Sequence, residues 1–390
     1  MTERAYLDWN ATAPLRPEAR TAMLAALEAC GNPSSVHAEG RAARSLIEEA
    51  RGNVAALVGT EPRNVVFTSG GTEANMLALS PGVGTGRDLA PRDRLLVSAI
   101  EHPSVLAGGR FAPDAVEQVP VTAEGRLDLA ALEGRLSTIA AANGRPLVSV
   151  MVANNETGII QPICEVARLV HEVGGVLHVD AVQAAGRIPC DINVLGADLV
   201  TLSGHKLGGL KGVGALIKGE GGRLDPLVKG GGQERGARAG TENVPGIASF
   251  GAAAAAAQRG LAAESARMAA LRDRLEAGLK AASPGMIIFG AAADRLPNTT
   301  LFAVAGMKAE TAVIAFDLDG VAVSSGAACS SGKVQPSHVL AAMGVSRELA
   351  RGAVRVSLGP TTTEFEVDRF LDAWNKVSGA LLKGMREIAA

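Results

Sequence analysis

Cysteine is sparse in this chain: Cys30, Cys164, Cys190 and Cys329 are four residues among 390, with no C-x-x-C pair. Such scatter suits neither a zinc site nor a disulfide framework, and a reducing, cytoplasmic setting is expected. Strong charge of either sign is also missing. Thirty-eight Lys and Arg stand against 40 Asp and Glu, for a net charge of -2, so nothing favours nucleic acid or an acidic membrane surface as a partner. No apolar run approaches the roughly 20 residues that cross a bilayer. The longest small-apolar run, "GIASFGAAAAAA", is alanine-rich and is expected to be a packed helix. The opening "MTERAYLDWNATAP" lacks the basic-then-apolar order of a secretory signal. Internal repeats, low-complexity tracts and flexible linkers are absent too. No G-x-G-x-x-G follows the first strand candidate, which argues against a nicotinamide-dependent dehydrogenase.

What is present is an ordinary soluble globular composition, 47% hydrophobic and 20% charged, long enough for two or three domains. Glycine is abundant, 47 of 390 residues, with no G-x-y period; this points to many tight turns and close backbone approaches. Near-continuous apolar runs at 64–69, 94–100, 146–154, 175–181, 199–204 and 213–219 read as strands covered on both faces. Helical patterns at 39–58, 72–80, 128–141 and 162–173 fall between them, which predicts an α/β domain with a mostly parallel sheet. From about 250 the pattern changes. A long helix over 246–282 is followed by fewer strands, by helices near 308–319 and from 363, and so by a smaller α+β domain. The division expected is 15–260 against 1–14 plus 261–390.

Ligands of an open parallel sheet bind at the carboxyl ends of its strands. Each candidate strand there runs into polar groups: "TSGGTEAN" (68–75), "EHPS" (101–104), "ANNETG" (153–158), "DAVQ" (180–183) and "SGHK" (203–206). A strand entering glycines and then a helix offers free N–H groups to a phosphate, with Gly71 and Thr72 at the contact; Thr72 as a plain helix cap accounts for the same letters. Asp180 at a strand end needs a cation or donors, such as a protonated pyridine nitrogen, or it caps the next segment. Lys206, beside His205 and rimmed by glycines, stands where burial would depress its pKa and make the amine a nucleophile. A solvated loop lysine is the ordinary alternative. His102 could stack on a ring face or simply be packed. Together, a lysine, an upstream aspartate and a Gly-Thr anion seat make the parts of a pyridoxal phosphate site, with Gln183 donating to the ring oxygen.

The segment "SSGAACSSG" (324–332) sets Cys329 among residues too small to bury a thiol. By itself this is an exposed free thiol or a redox sensor. Cys30, Cys164 and Cys190 adjoin apolar or helical segments and read as structural.

The stretches "YLDWNATAP", "GNPSSVH", "VVFTSGGTEAN", "EHPSV", "NNETG", "HVDAVQAAG", "LSGHKLGGLKGVGAL", "GTENV" and "SSGAACSSG" resemble, in order, the landmarks of the cysteine desulfurases. These are pyridoxal-phosphate enzymes of fold type I and aminotransferase class V, and the cysteine segment resembles group I, with its long mobile loop. The resemblance implies a large domain with a seven-stranded, mostly parallel sheet and a small domain that carries the catalytic cysteine loop. It implies that Lys206 bonds covalently to the cofactor, that Asp180 and Gln183 contact the ring, and that His102 stacks on it and handles protons. It places Asn154 beside the ring oxygen and the substrate. Gly71, Thr72, Ser203 and His205 would hold the phosphate, joined by Thr241 from the partner of a homodimer. Asn32 and Arg355 would take the substrate carboxylate.

The activity implied is removal of sulfur from L-cysteine, leaving L-alanine and a persulfide on Cys329. That sulfur would pass to an iron–sulfur scaffold or another acceptor protein. The small residues around Cys329 would let it travel between the two. No intrinsic metal is implied, Cys329 ligating an iron–sulfur cluster only transiently during transfer. A selenocysteine lyase or a class V transaminase on the same scaffold is the alternative enzyme. A sulfur-relay protein with an inert cofactor site is the alternative of another class. Two departures from the family pattern are visible: "RAGTEN" where Arg-Ser-Gly-Thr is frequent, and a tail of only 360–390 after "RVSLG".

Overall fold

The computed structural model describes residues 4–86, 90–326 and 337–388. Cys329 lies outside the described residues. The strands are β1 (Ala5–Tyr6), β2 (Val65–Thr68), β3 (Arg94–Ser98), β4 (Val116–Val119), β5 (Pro146–Met151), β6 (Val176–Asp180) and β7 (Leu199–Ser203). They continue with β8 (Gly214–Lys218), β9 (Ile287–Ile288), β10 (Thr299–Ala303), β11 (Val321–Ala322), β12 (Ser324–Ser325) and β13 (Val354–Ser357). Seven form a central sheet in the order β2-β8-β7-β6-β5-β3-β4. Strands β4, β3, β5, β6 and β7 pair in parallel, and β8 alone runs against its neighbours β7 and β2.

All six strands expected from the apolar runs are present, each one to three residues shorter than its run. The seventh, β4, has Glu117 and Gln118 in its middle and pairs only with β3. An edge strand half open to water needs no apolar run, which is why the sequence pattern passes over it.

Side chains of each strand alternate between two apolar layers. From β2, Val65 and Phe67 enter the layer that holds Ile47 and Val54 of the helix Ala38–Leu57, while Val66 enters the other, with Leu77 of the helix Gly71–Ala78. Each fully buried Val or Leu contributes roughly 1.5–3 kcal/mol, so covering both faces makes the register costly to slip.

The helix Val244–Ala282 serves two cores. Ile247, Phe250, Ala253 and Ala257 join the layer beneath the central sheet. Leu271, Leu275 and Leu279 join a second core built on Phe302, Phe316, Phe370 and Trp374. There Phe316 stacks on Phe370 at 5.1 Å, and Phe302 meets Trp374 edge-on at 5.2 Å. This second core covers the antiparallel sheet β12-β13-β10-β9. The first strand, β1, pairs in parallel with β11, and Asp8 bridges to Ser357, so the amino-terminal segment runs alongside β13. Among the described residues no helix is long and apolar enough to cross a membrane.

Candidate active site

The polar ends of β2, β3, β5, β6 and β7 converge on one cavity of about 730 Å³. It gathers nine of the residues singled out in the sequence: Gly71, Thr72, His102, Asp180, Gln183, Ser203, His205, Lys206 and Arg355. The convergence follows from topology. Parallel strands place all their carboxyl ends at one edge, so residues up to about 135 positions apart meet there.

Asp180 closes β6, and its carboxylate accepts from Asn75 Nδ2 at 3.0 Å and from the Val182 amide at 2.9 Å. The position is almost closed to solvent, 6% exposed. Asn75 stands one helical turn beyond Gly71 and also donates to the Ser104 hydroxyl, while its own Oδ1 is buried without a partner among the described residues. Lys206 follows β7 in the short turn Gly204–Lys206, and its Nζ donates to the carbonyls of Asn10 at 2.5 Å and Ala11 at 2.8 Å. Gln183 donates to the same Asn10 carbonyl and accepts from Arg187. Asn10, 1% exposed, further donates to the Asn155 carbonyl and to Thr299, and thereby ties the amino-terminal segment to three walls of the cavity.

The candidate anion seat is the start of the helix Gly71–Ala78. Its cap residue, Gly70, supplies no side-chain oxygen, so the first-turn N–H groups keep their positive field for a ligand. A Cβ on Gly71 would come within 3.3 Å of Ser203 Cβ and Val182 Cγ2, so glycine lets the helix start close against β7. His205, bonded to Thr12, is pushed down to about 4 by burial and by the charges of Lys206 and Lys211. It is therefore neutral at pH 7 and can donate a hydrogen bond without adding charge.

His102 caps the turn Pro103–Leu106, its Nδ1 accepting from the Ser104 amide at 3.1 Å. Burial lowers its pKa, as do Lys206 and His338, against the raising effect of Asp180. The preceding Glu101 is buried and bonds the Met151 amide. Burial pushes its pKa well up, and its Oε2 has no partner among the described residues. His338 bonds the Glu101 carbonyl at 2.9 Å.

Arg355, 2% exposed, points from β13 into the opposite wall. Its Nη2 donates to Asp8 at 2.8 Å and its Nη1 to the Asn155 carbonyl at 3.0 Å, while Nε is buried with no partner among the described residues. Asp8 also accepts from Ser324, just ahead of the segment that carries Cys329. Glu156 accepts from Ser337, just after that segment, and burial drives its pKa up to about 7 despite that bond and the field of Arg355.

Three expected residues lie away from the cavity lining. Asn154 stands behind the wall: its Nδ2 donates to the Ile100 carbonyl, and its Oδ1 accepts from the amides of Glu156 and Thr157. That amide is spent on the turn, and it is Asn155 that lines the cavity. Two adjacent asparagines cannot be told apart without the turn that orients them. Asn32 is exposed, its side chain bonding the Ser34 amide. Thr241 is exposed on a smaller neighbouring cavity that shares Ser69, Gly212 and Val213 with the main one. Asp8, Asn10, Asn75, Asn155 and Glu156 were not singled out. Asn75 alone had a local signal, its helical spacing from Gly71. Asp8 lies 347 positions from Arg355, and no spacing rule joins them.

The lining suits a ligand with an anionic group at the helix start, a cationic ring nitrogen at Asp180 and a carboxylate at Arg355. Among the described residues no cluster of three or more His, Cys, Asp or Glu could hold a metal ion. Residues 5–370 match the family aminotransferase class-V. The chain is 44% identical to a cysteine desulfurase of Cereibacter sphaeroides, over 95% of this chain and 94% of that one. It is 40% identical to an IscS-like cysteine desulfurase of Mycobacterium tuberculosis, over 99% and 98%. A NifS-like protein from Rickettsia africae superposes with a TM-score of 0.85 at 35% identity, covering 97% of this chain and 100% of that one. With full-length matches of this kind on both sequence and fold, the chain belongs to the class-V aminotransferase family, among the cysteine desulfurases.

Proposed function

We propose that this protein is a pyridoxal-phosphate-dependent cysteine desulfurase, which converts L-cysteine to L-alanine and leaves the sulfur as a persulfide on Cys329. The observation that carries the proposal is the meeting of Lys206, Asp180 and Arg355 in one cavity, in a chain whose relatives share that name. The site fits the cofactor: a helix start without a side-chain cap, a Gly71 whose Cβ would crowd Ser203, and a buried carboxylate for a ring nitrogen. Bound pyridoxal phosphate supplies an electron sink for charge developing at the substrate Cα. Gly71, Thr72, Ser203 and His205 would hold its phosphate, and Asp180 its ring nitrogen, kept protonated by the carboxylate.

Arg355 binds the substrate carboxylate, with Nε, which has no partner among the described residues, adding a donor to the fork. Lys206, once its amine is free, removes the Cα proton. His102, neutral and in the cavity lining, would move protons to and from the reacting sulfur and nitrogen. The thiolate of Cys329 attacks the substrate sulfur; the Cβ–S bond breaks and an S–S bond forms. Protons return to carbon to give alanine, and one sulfur atom is left on the enzyme.

We also propose a homodimer. Support comes from Thr241 and Asn32, which lie exposed outside the cavity of their own chain, as suits groups that serve a neighbouring site. We place the domain division within the helix Val244–Ala282, between the stretches that serve its two cores. A sulfur-acceptor protein and a reducing cytoplasm complete the proposal.

The test is incubation of the purified protein, loaded with pyridoxal phosphate, with L-cysteine and dithiothreitol. Alanine and sulfide are expected in equal amounts, and Cys329→Ala is expected to abolish both while keeping the cofactor's visible absorbance. Substantial turnover in that variant, or keto-acid-dependent amino transfer without sulfide, would refute the proposal.

A further inference from the structure

A helix start meant for an anion is normally kept free of carboxylates, yet Glu73 occupies the third position of the helix Gly71–Ala78 and lines the cavity. Its carboxylate reaches back to the amide of Ser69 at 3.0 Å and also accepts from the Ser69 hydroxyl. The bond resembles the returning half of a capping box but falls one residue early, on Ser69 and not on the cap residue Gly70, and it has no forward half, because Gly70 has no side chain to cap with. The turn Ser69–Gly71 is thus shaped by Glu73, and the first-turn N–H groups are left to a ligand.

A bare carboxylate in that position would repel an incoming anion. Arg238 cancels it, with Nε donating to Oε1 at 2.9 Å and Nη2 reaching Oε2 at 3.4 Å. Burial acts to raise the pKa of Glu73, but the bonds from Arg238 and Ser69 outweigh it and hold the carboxyl below its ordinary range. The loop that carries Arg238 is itself held. Glu234, in the same loop, accepts from the buried Arg51 at 2.6 and 2.8 Å and from the amide of Phe67 at 2.9 Å. Phe67 lies on β2, the strand that runs into Ser69, so loop and seat are fastened together at two points.

We propose that Arg238 and Glu73 are positioning residues that form a charge-balanced clamp on the turn Ser69–Gly71, holding it in the shape that accepts a phosphate monoester. The inference rests on the proposed function for the identity of that phosphate. It assigns no contact with the substrate to either residue. Removing Arg238 leaves one uncompensated negative charge and a slackened Ser69; both changes weaken anion binding. Removing the charge of Glu73 as well takes away the repulsion.

The test uses the full-length protein freed of cofactor, with absorbance titration of pyridoxal phosphate and, separately, of pyridoxal, which lacks the phosphate. Arg238→Ala is expected to weaken pyridoxal phosphate about tenfold, the scale of one charge-assisted hydrogen bond, and to leave pyridoxal unchanged. The double variant Arg238→Ala/Glu73→Gln is expected to recover most of that loss, and Arg238→Lys to lose less than Arg238→Ala. Melting temperatures identify any variant that fails to fold, in which case Arg238→Lys alone decides. Equal weakening of both ligands, no weakening of either, or a double variant no better than the single overturns the clamp. If the unmodified protein takes up no pyridoxal phosphate, the proposed function fails. The clamp is then judged by calorimetric titration with inorganic phosphate, where Arg238→Ala binding as tightly as the unmodified protein overturns it.

Discussion

Glu156 shows how much one buried carboxyl can set. It is 5% exposed, bonded to Ser337 and facing Arg355, and burial lifts its pKa to about 7. An unfolded chain ionises it near 4.5, so between those values the folded protein binds more protons than the unfolded one. The stability it contributes is fully present below about 4.5 and is lost as pH rises through 7. The gap corresponds to roughly 3 kcal/mol. His178 and His205, both pushed down to about 4 by burial, act in the opposite sense and lose their contribution as pH falls below 6.5. Glu156→Gln is therefore expected to gain on the unmodified protein between pH 5 and pH 8, by up to about 3 kcal/mol, measured as the difference in urea unfolding midpoints. A difference that does not move with pH would remove Glu156 from the titration. None of this was legible locally: "ANNETG" names the turn, but only the packing of Ser337 and Arg355 around it says which of its polar groups are buried.

At the scale of elements, the anion seat is a matter of close approach. Gly214 on β8 pairs with Thr68 on β2, and a Cβ there would lie 2.6 Å from the Gly70 carbonyl carbon and 2.8 Å from the Leu202 carbonyl oxygen. Both neighbours are backbone, so neither can swing aside. Gly214→Ala is expected to cost about 1–3 kcal/mol of stability, by overpacking, and to weaken pyridoxal phosphate more than pyridoxal, because the displaced atoms belong to the seat. Thermal unfolding and the two titrations check this; an unchanged ratio of the two affinities would separate the strand contact from the seat. The strands themselves were readable because burial on both faces leaves an unbroken apolar run, but their ends were not, since buried apolar residues such as Ile100, Val152 and Ala153 lie beyond them. The edge strand β4 and the helix Pro17–Glu28 were passed over. The first is half solvated; the second buries only Ala19 and Ala26 and shows no strong apolar stripe.

For the whole molecule, the open matter is which chain completes which site. If Thr241 serves the partner's phosphate seat, a heterodimer of Lys206→Ala and Thr241→Ala chains contains one intact site, since the healthy lysine and threonine meet there. Tagged heterodimers are expected to bind pyridoxal phosphate covalently at one site per dimer with normal affinity, whereas Thr241→Ala homodimers bind about tenfold more weakly. Heterodimers no better than Thr241→Ala homodimers would place Thr241 in its own chain's site. The sequence by itself determined six of the seven strands of the central sheet, the polar segments that follow them and the residue types of the cavity, because burial periodicity and chain-local turn chemistry are written in neighbouring letters. Only the tertiary structure decided that Asn155 rather than Asn154 faces the cavity, that Asp8 and Asn155 hold Arg355, and that Arg238 balances Glu73. Those choices depend on contacts between segments far apart in the chain, and a carboxylate's or amide's role there is set by the partner that folding brings to it.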